Sequence, residues 1–573
     1  MGGTPSASFD TRLRLVPTTA TLPFEAAGDR VISGKGCGVH PAVRRHRVRR
    51  AIIMKRHDRP IFPHQLPRLS RREILAATGV LAAMPSNIVA GAQQTPSLTD
   101  FGGVGDGVAD NFEALKRALA AIGASGTLYI PPGNFKLHDD NAAAGAPPLT
   151  LVDGQKLLGQ PGRSILTFSR RKLSAFYGLG IAGDGILIEG LEFRCLSARP
   201  GWTAAVGITG DARNTTFRRT SFVGQGGRSG YYGVLPIGAD LDHFTMEQCH
   251  FQSLDFGFLR QTSDTASYRY LAFLDCTGTD CTEVIEINAP GLLLAETRVG
   301  SATLQKITDP DGGAIPATAL KKGQPIRSDA FPAGTTVAGT DRSGQPIFSS
   351  AATSSSRPGK PVRLSSGSAS HGRISNLRVR NIGQWAVGLA NCDDWDIDVT
   401  GDMIGHELVH IEDASRNIRI KVSGTNTNLQ RGVVGSPDAE NGMVQISSGC
   451  SDIRVEFASV DLRRTTSANP VGLCVYPGGI MGTTGREVAP KGIRVAGRII
   501  CGSRGRAVVA FESELMFDDL SVVVTSALDA LVPRMRLAGC RISGTVRTNI
   551  PQQSLVLQES NRPVGAIQVV AAE

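Results

Sequence analysis

A spaced repeat of apolar residues governs most of the chain. In ILIEGLEF (186–193), the first, third, sixth and eighth positions are apolar. The same spacing recurs at intervals of 24 to 29 residues in TTFRRTSF (215–222), FTMEQCHF (244–251), YRYLAFLD (268–275) and LLLAETRV (292–299). A period of two predicts a strand with alternate side chains facing inward, and the longer middle step predicts a bend.

The repeat resumes downstream. CDDWDIDVTG (392–401), SRNIRIKVSG (415–424) and CSDIRVEFAS (450–459) align with one another. One such turn cannot bury its own inward face, but stacked turns bury each other's. The chain has 67 glycines and only 5% aromatic residues, which suits short strands separated by turns. We therefore predict an all-β fold, a right-handed single-stranded parallel β-helix that occupies residues 181–300 and 369–573.

Residues 301–368 break the repeat. This stretch is rich in proline, glycine, serine and threonine and contains only short β-like runs. We predict a small β-rich module inserted on one turn of the β-helix, where it would contribute a wall to a binding groove.

The excess positive charge is confined to the N-terminal leader. Residues 1–92 contain 15 Lys and Arg against 5 Asp and Glu, which accounts for the whole net charge of +10. The remaining residues are electrically balanced, so the body of the protein carries no general signal for nucleic-acid binding. We expect no nucleic-acid partner.

The leader has the pattern of an export signal. Arg71 and Arg72 are followed by a short apolar stretch and by a small-residue cleavage site at 90–92. This resembles a twin-arginine signal at 54–92, and the apolar stretch is too short for a stable membrane span. The resemblance implies a twin-arginine translocase partner and a periplasmic or secreted bacterial protein. We expect translation to start at Met54, with 1–53 a disordered upstream extension.

In FGGVGDGVADNFEALKRALAAI (101–122), a glycine-rich segment comes directly before an amphipathic helix. A dinucleotide-binding loop needs G-x-G-x-x-G after a buried strand, whereas the glycines here follow G-x-G-x-G. Asp106 and Asp110 would also place negative charge beside a phosphate. Asp110 suits a helix N-cap. We predict that the apolar stripe of Phe112, Leu115, Leu119 and Ile122 caps the open end of the β-helix.

That stretch, continued by GTLYIPPGNFKL (126–137), resembles the N-terminal signature of the pectate-lyase-like superfamily. The matching residues are Phe101, Gly105, Asp106, Gly107, Asp110, Tyr129, Pro131, Pro132 and Gly133. The resemblance implies a β-helix whose N-terminal cap and first turns lie at 93–180. The superfamily includes polysaccharide lyases, hydrolases, epimerases and non-catalytic tailspikes, so the fold alone does not decide the activity.

Candidate site residues are concentrated at 253–288, where carboxylates are densest. If the second strands of neighbouring turns align, Arg260 and Glu286 share an outward column. Tyr268, Tyr270 and Asp275 fall at inward positions of the repeat, which predicts a core or bulge location. The candidate catalytic residues are Asp255, Arg260, Asp280, Glu283, Glu286 and His410.

A second polar region surrounds His410 and Glu412, which alternate on one strand face. Its D-D, G-H and R-I-K elements are similar to those of polygalacturonases, but the N-T-D element is missing and R-I-K belongs to the repeat phrase NIRIKVSG. The cysteines are scattered and form no zinc-ligand spacing, which predicts small core residues.

Three hypotheses about function remain open. The first is an exported lyase or glycoside hydrolase that acts on an acidic, uronic-acid-containing polysaccharide through carboxylates in a groove. The second is a non-catalytic envelope protein that binds glycan through that groove. The third is an exported protein that folds around a cofactor, but no cofactor motif is evident in the sequence. A lyase would call for Ca²⁺ or arginine to neutralise the uronate.

Overall fold

The repeat forms one continuous winding of short strands in a computed structural model of the protein. The described residues are 95–137, 149–168, 177–195, 203–226, 230–260, 265–289, 291–304, 306–308, 320–425, 427, 429, 442–465, 470–483, 486–502, 505–524, 536–538, 540–548, 556–557, 562–563 and 568–570. The leader and its export signal lie outside them.

The first turns follow an N-terminal cap. The cap contains a 3₁₀ helix (Leu98–Phe101) and the helix α1 (Phe112–Ile122). The strands of this part are β1 (Asp106–Asp110), β2 (Thr127–Tyr129), β3 (Gly133–Leu137), β4 (Leu149–Leu151), β5 (Lys156–Leu158), β6 (Ser164–Phe168), β7 (Tyr177–Ile181), β8 (Leu187–Glu189) and β9 (Leu191–Cys195).

The middle turns and an insertion come next. The middle turns contain β10 (Thr203–Ile208), β11 (Ala212–Arg213), β12 (Thr216–Arg218), β13 (Ser221–Val223), β14 (Tyr231–Pro236), β15 (Leu241–Asp242), β16 (Thr245–Glu247), β17 (His250–Gln252), β18 (Phe256–Arg260), β19 (Ser267–Arg269), β20 (Ala272–Leu274), β21 (Thr277–Thr279) and β22 (Glu283–Asn288). The insertion contains β23 (Leu292–Glu296), β24 (Lys306–Thr308), β25 (Val337–Thr340), β26 (Pro346–Phe348) and β27 (Val362–Ser365).

Longer strands form the C-terminal turns, with a second 3₁₀ helix at Leu462–Arg464. They are β28 (Ser368–Ile382), β29 (Val387–Ala390), β30 (Cys392–Ile404), β31 (Val409–Glu412), β32 (Arg416–Thr425), β33 (Gly442–Ile446), β34 (Ser451–Asp461), β35 (Val471–Val475), β36 (Gly478–Gly479), β37 (Glu487–Val488), β38 (Ile493–Cys501), β39 (Arg506–Phe511), β40 (Glu514–Val524), β41 (Arg536–Ala538), β42 (Arg541–Thr548), β43 (Val556–Leu557), β44 (Arg562–Pro563) and β45 (Gln568–Val570).

Two parallel sheets run along the winding. Within the described residues, the large sheet has 25 strands and the small sheet has 13, in the order β4-β7-β10-β14-β18-β22-β29-β31-β33-β35-β39-β41-β43. In each complete turn, the chain first adds strands to the large sheet and then adds one strand to the small sheet. The predicted right-handed parallel β-helix is confirmed.

The register confirms most of the repeat and corrects one copy. Phe217 pairs with Met246 and Met246 with Phe273, so the fourth copy is LAFLDCTG (271–278) and not YRYLAFLD. Tyr268 is inward and buried as predicted. The inward prediction for Tyr270 was wrong, and of the two alternatives for Asp275, buried or at a bulge, the buried one was wrong. Both residues are exposed and take left-handed φ values of 55° and 53° at the bends between strands.

The inward columns form the core. Phe168, Phe193, Phe222 and Phe251 stack face to face on consecutive turns, with ring centroids 6.0, 5.4 and 5.6 Å apart. The downstream copies also pair as predicted, with Ile397 aligned with Ile420 and Ile420 with Val455. The nine described cysteines are all buried and none of them forms a disulfide, as expected for small core residues.

Helix α1 covers the first turn. Its buried residues are Ala114, Leu115, Ala118 and Leu119. The N-cap position is held by Asn111 rather than Asp110, whose carboxylate instead accepts a hydrogen bond from the Phe112 amide at 2.9 Å. Asn111 is buried and bonds to the Val104 backbone, so it ties the glycine stretch to the start of the helix.

The insertion is a separate antiparallel unit. β23 pairs antiparallel with both β24 and β27, so LLLAETRV is not a turn of the β-helix and that part of the repeat prediction was wrong. A second hydrophobic cluster, which includes Leu293, Phe331 and Phe348, fills its interior. We call residues 292–365 the inserted module. It leaves the β-helix after β22 and returns to it at β28.

Candidate functional site

The outer face of the small sheet is apolar on the earlier turns, polar in the middle and apolar again on the later turns. Ile285, Ile287, Leu389 and Ile411 point into the main core, which leaves the residues between them on the outer side. One register column on that side runs through Leu259, Glu286, Gly388, His410, Gln445, Cys474 and Val509. We call this set the outer column.

Apolar residues flank its polar centre on both sides. Ala204, Tyr232, Leu235 and Leu259 cluster on the earlier turns. Val471, Cys474 and Val509 cluster on the later ones. The polar cluster between them consists of Glu283, Glu286, Trp385, Glu407, His410, Glu412, Gln445 and Tyr476.

Glu286 leans across its neighbouring turn. Its Oε2 accepts a 2.6 Å hydrogen bond from Nε1 of Trp385, which comes from the turn that follows the inserted module. A Cβ added at Gly388 would lie 1.8 Å from that same oxygen and 2.6 Å from the indole nitrogen. Glycine at this position therefore makes room for the carboxylate and its partner.

His410 lies in a set of short polar contacts. Its Nε2 is 3.3 Å from Glu412 Oε2, and its Nδ1 is 3.9 Å from Glu407 Oε1. Gln445 lies 3.4 Å from His410 Nδ1, and its amide donates to Tyr476 Oη at 2.9 Å. The Trp385 and His410 rings are 5.2 Å apart, which joins the Glu286 and His410 halves of the polar cluster.

Burial changes the protonation of these groups. Burial raises the pKa of Glu286 to about 7, against the hydrogen bond from Trp385, which lowers it. Burial and the neighbouring Glu286 raise the pKa of Glu283 well above its usual range. Burial lowers the pKa of His410, but Glu412 and Glu407 outweigh that effect and hold it well above the usual value. Two carboxyls with raised pKa values, Glu283 and Glu286, therefore lie on the same face as an imidazole, His410, whose pKa is also raised.

The structure separates Arg260 from Glu286. Leu259 pairs with Glu286 and Arg260 with Ile287, so the predicted shared column was wrong by one residue. Arg260 is fully buried on the inward side. Its guanidinium donates to the carbonyls of Asn288 and Ala266 and lies 4.5 Å from the Tyr268 ring centroid.

The other predicted carboxylates lie in three different environments. Glu283 begins β22 and is buried in the polar cluster. Asp255 lies at the strand edge, where its carboxylate accepts hydrogen bonds from the Gly230 amide and the Thr282 hydroxyl. Asp280 is an exposed bend residue whose carboxylate accepts a hydrogen bond from Asn381. The structure therefore brings Glu283, Glu286 and His410 together but not Arg260 or Asp280.

Four cluster members were not predicted from the sequence: Trp385, Glu407, Gln445 and Tyr476. They come from four successive turns of the small sheet, and the pairings of β29 with β31, β31 with β33 and β33 with β35 bring them together, while the pairing of β22 with β29 across the inserted module brings them to Glu286. Within the described residues, no group of three or more His, Cys, Asp or Glu side chains is arranged to hold a metal ion. No helix in the described part is long and apolar enough to cross a membrane.

Comparisons with known proteins give partial likenesses. No family model matches the chain. It is 30% identical over 141 residues to the mannuronan C5-epimerase AlgE6 of Azotobacter vinelandii, a match that covers 22% of this chain and 16% of that protein. The chain thus matches only a small part of this relative's length.

Several solved structures are similar. The A-module of the same epimerase has a TM-score of 0.43 at 14% identity, covering 82% of this chain and all of that one. A GH87 α-1,3-glucanase from Streptomyces thermodiastaticus has a TM-score of 0.41 at 11% identity, covering 86% and 71%. The adhesin PfbA of Streptococcus pneumoniae has a TM-score of 0.38 at 11% identity, covering 78% and 99%. At these TM-scores, the function has to be argued from the site.

Proposed function

We propose that the protein is an exported enzyme that acts on an acidic polysaccharide by removing the C5 proton of a uronate residue. The observation that carries this proposal is the placement of Glu286 and His410 in one register column on the outer face of the small sheet, both against Trp385, where burial raises the pKa of Glu286 to about 7 and Glu412 and Glu407 raise that of His410. The partial match to a mannuronan C5-epimerase supports a uronic-acid substrate.

The negative charge that develops when the C5 proton is removed decides which side chains the site needs. Removing a proton next to a carboxylate adds negative charge to that carboxylate, so its partners must be cationic or hydrogen-bond donors. His410 supplies the positive charge, and the protonated Glu286 supplies a hydrogen bond. Glu412 is the accessible base, since 23% of its side chain is exposed and it contacts His410. It takes the proton from C5.

Two outcomes can follow once the C5 proton has been removed. Reprotonation on the opposite face gives the epimer, and loss of the oxygen at C4 cleaves the chain as a lyase does. Ca²⁺ would add charge neutralisation in the lyase reaction. Export through the twin-arginine route to the periplasm or medium is part of the proposal.

Hydrolysis is the second candidate. Glu286 and Glu412 lie on turns separated by one intervening turn, and strands in a sheet are about 4.8 Å apart. Because Glu286 is in register with His410 and Glu412 lies two residues further along, their backbones are roughly 12 Å apart, and the two side chains must lean toward each other to reach the spacing of the acid and base of an inverting hydrolase.

One NMR experiment in D₂O distinguishes epimerisation, lyase cleavage and hydrolysis. Residues 93–573 are incubated in D₂O with uronic-acid polysaccharides, with and without Ca²⁺, and the polymer is examined by NMR. Deuterium at C5 supports proton removal, and an unsaturated sugar end identifies the lyase outcome. New reducing ends with neither deuterium at C5 nor an unsaturated sugar end identify hydrolysis and reject the C5 proposal.

A matched pair of glycine variants tests the site. Gly388→Ala places a methyl group against the Glu286 carboxylate and should lower turnover at least about tenfold, as expected when a positioned catalytic group is displaced. Gly383→Ala, where the added Cβ meets nothing closer than 3.5 Å, should retain activity. Binding of a polymer without turnover would favour the glycan-binding alternative. Equal activity of both variants would remove Glu286 from the site.

A further inference from the structure

The inserted module contacts the β-helix at two separate places. At one end, Lys321 forms ion pairs with Asp240 and Asp211 at the bends of earlier turns. At the other end, Arg327 reaches the bend that follows β31, where it donates to the carbonyls of Asp413 at 2.7 Å and Ala414 at 3.5 Å. The module therefore extends past the turn that carries it and reaches the bend beside Glu412.

That bend is conformationally strained. Asp413 and Ala414 are consecutive non-glycine residues with φ values of 55° and 56°, in the left-handed region. Such residues cost roughly 1–3 kcal/mol each and persist only where the surroundings hold them. The first of them directly follows Glu412, so the conformation of this bend sets the direction of the Glu412 side chain.

A second segment holds the same bend from the other side. The Asp413 carboxylate accepts a 2.9 Å hydrogen bond from the Met481 amide, and the Ala414 amide donates to the Ser448 carbonyl at 2.7 Å. A Cβ added at Gly482 would lie 2.6 Å from the Ser365 side chain, so this segment packs tightly on the inserted module.

We propose that the inserted module completes the candidate site by clamping the Asp413–Ala414 bend, with Arg327 as a positioning residue for Glu412. Arg327 is itself fixed within the module, because its backbone exchanges hydrogen bonds with Ser365 at 2.9 and 2.7 Å. The guanidinium donates to two carbonyls of this bend and lies near the Asp413 carboxylate, so it acts on Glu412 through the position of the bend. The role assigned to Glu412 rests on the proposed function, whereas the clamp itself does not.

Hydrogen exchange tests the clamp without any substrate. In full-length mature protein, Arg327→Met should lower the protection of the Ala414 amide about tenfold or more, since a hydrogen bond from a charged donor is lost. Lys321→Met removes the ion pairs at the other end of the same module and should leave that amide unchanged. Arg327→Lys keeps the charge without the paired donors, and it should give an intermediate loss even if the methionine variant does not fold.

A glycine substitution gives an independent check. Glycine adopts the left-handed conformation without strain. Adding Ala414→Gly to Arg327→Met should therefore restore part of the protection, after correction for intrinsic exchange rates. Unchanged protection in Arg327→Met and Arg327→Lys, or an equal loss in Lys321→Met, would overturn the proposal.

Turnover provides the link to Glu412. If the wild type is active, Arg327→Met should lower kcat several-fold more than it changes KM. A lower kcat together with lost protection supports the positioning role, and full activity with lost protection rejects it. A wild type without turnover would contradict the proposed function and leave the exchange test of the clamp intact.

Discussion

At the scale of single residues, the site depends on burial more than on residue type. The protein contains many exposed carboxylates, such as Asp396 and Asp398, that form ordinary surface ion pairs. Glu286 has the same functional group but is only 4% exposed and lies across Gly388 against an indole. Burial in this environment raises its pKa to about 7, whereas the exposed carboxylates lack that environment.

The stability of the protein should depend on pH through Glu286. Burial raises the pKa of Glu286 from 4.5 to about 7, so the folded protein holds a proton that the unfolded chain has released. The stabilisation from this group is complete below pH 4.5 and is lost as the pH rises through 7. The Glu286→Gln variant has no carboxyl group to titrate at this position, so it does not lose stability in this way as the pH rises.

Relative to wild type, the free energy of unfolding of Glu286→Gln should therefore increase by up to about 3 kcal/mol between pH 4.5 and 8. Denaturant unfolding of both proteins across this range measures the difference. A difference that does not change with pH would mean that Glu286 is charged in the folded state at all these values.

At the scale of elements, each turn has an inward side that stabilises and an outward side that contributes little. The inward side stacks phenylalanines on consecutive turns. The outward side of the long strands alternates charge by turn, with aspartates on β30 facing Arg416, Arg419 and Lys421 on β32. These ion pairs are exposed and screened by solvent.

Substitutions on the two sides should therefore differ widely. Phe222→Ala leaves a cavity between two stacked rings and should lower the free energy of unfolding by about 3–5 kcal/mol. Asp398→Asn breaks a 3.2 Å pair with Lys421 and should cost less than about 1 kcal/mol. Thermal unfolding of both variants checks the ranking. A larger loss for Asp398→Asn would contradict it.

The inward pattern could be predicted from the sequence, since burial of stacked turns demands the same spacing in every copy. The error at Tyr270 and Asp275 has a physical cause. The bends between strands take left-handed residues of many types, so a tyrosine or an aspartate there imitates an inward position. Local periodicity cannot separate these two environments.

The outer column could be predicted only in part. Glu286, Glu283 and His410 were recognised as polar residues beside apolar strands. Trp385, Gln445 and Tyr476 could not be assigned to the same place, because their positions depend on which turn pairs with which. The inserted module hides that pairing, since β22 and its partner β29 are about 100 residues apart.

At the scale of the whole molecule, the β-helix is a stack whose first turn needs a cover. Helix α1 provides it, and Leu115 is its fully buried contact with the core. Gln155 adds polar contacts by donating to the Leu119 and Gly123 carbonyls at 3.2 and 2.9 Å. Without the cover, the apolar end and strand edges would be open to another molecule.

Loosening the cover should cause self-association. Leu115→Asp places a charge in the apolar contact and should convert the protein to soluble oligomers or aggregates while most strand structure remains. Glu113→Gln on the exposed side of the same helix is the control and should behave as wild type. Size-exclusion chromatography with light scattering measures the change. Identical elution of both variants would show that the helix is not needed as a cap.

The position of the inserted module also has a kinetic consequence. Most neighbouring strands of the small sheet are joined by short connections, such as the roughly 27 residues from Leu259 to Glu286, but Glu286 and Gly388 are separated by about 100. Closing the longer loop costs about 1 kcal/mol more in chain entropy. That cost falls if the module has already folded on its own cluster and drawn its ends together. The order of folding would then be module first, followed by the joining of the two halves of the β-helix, and the outer column would be the last part to form.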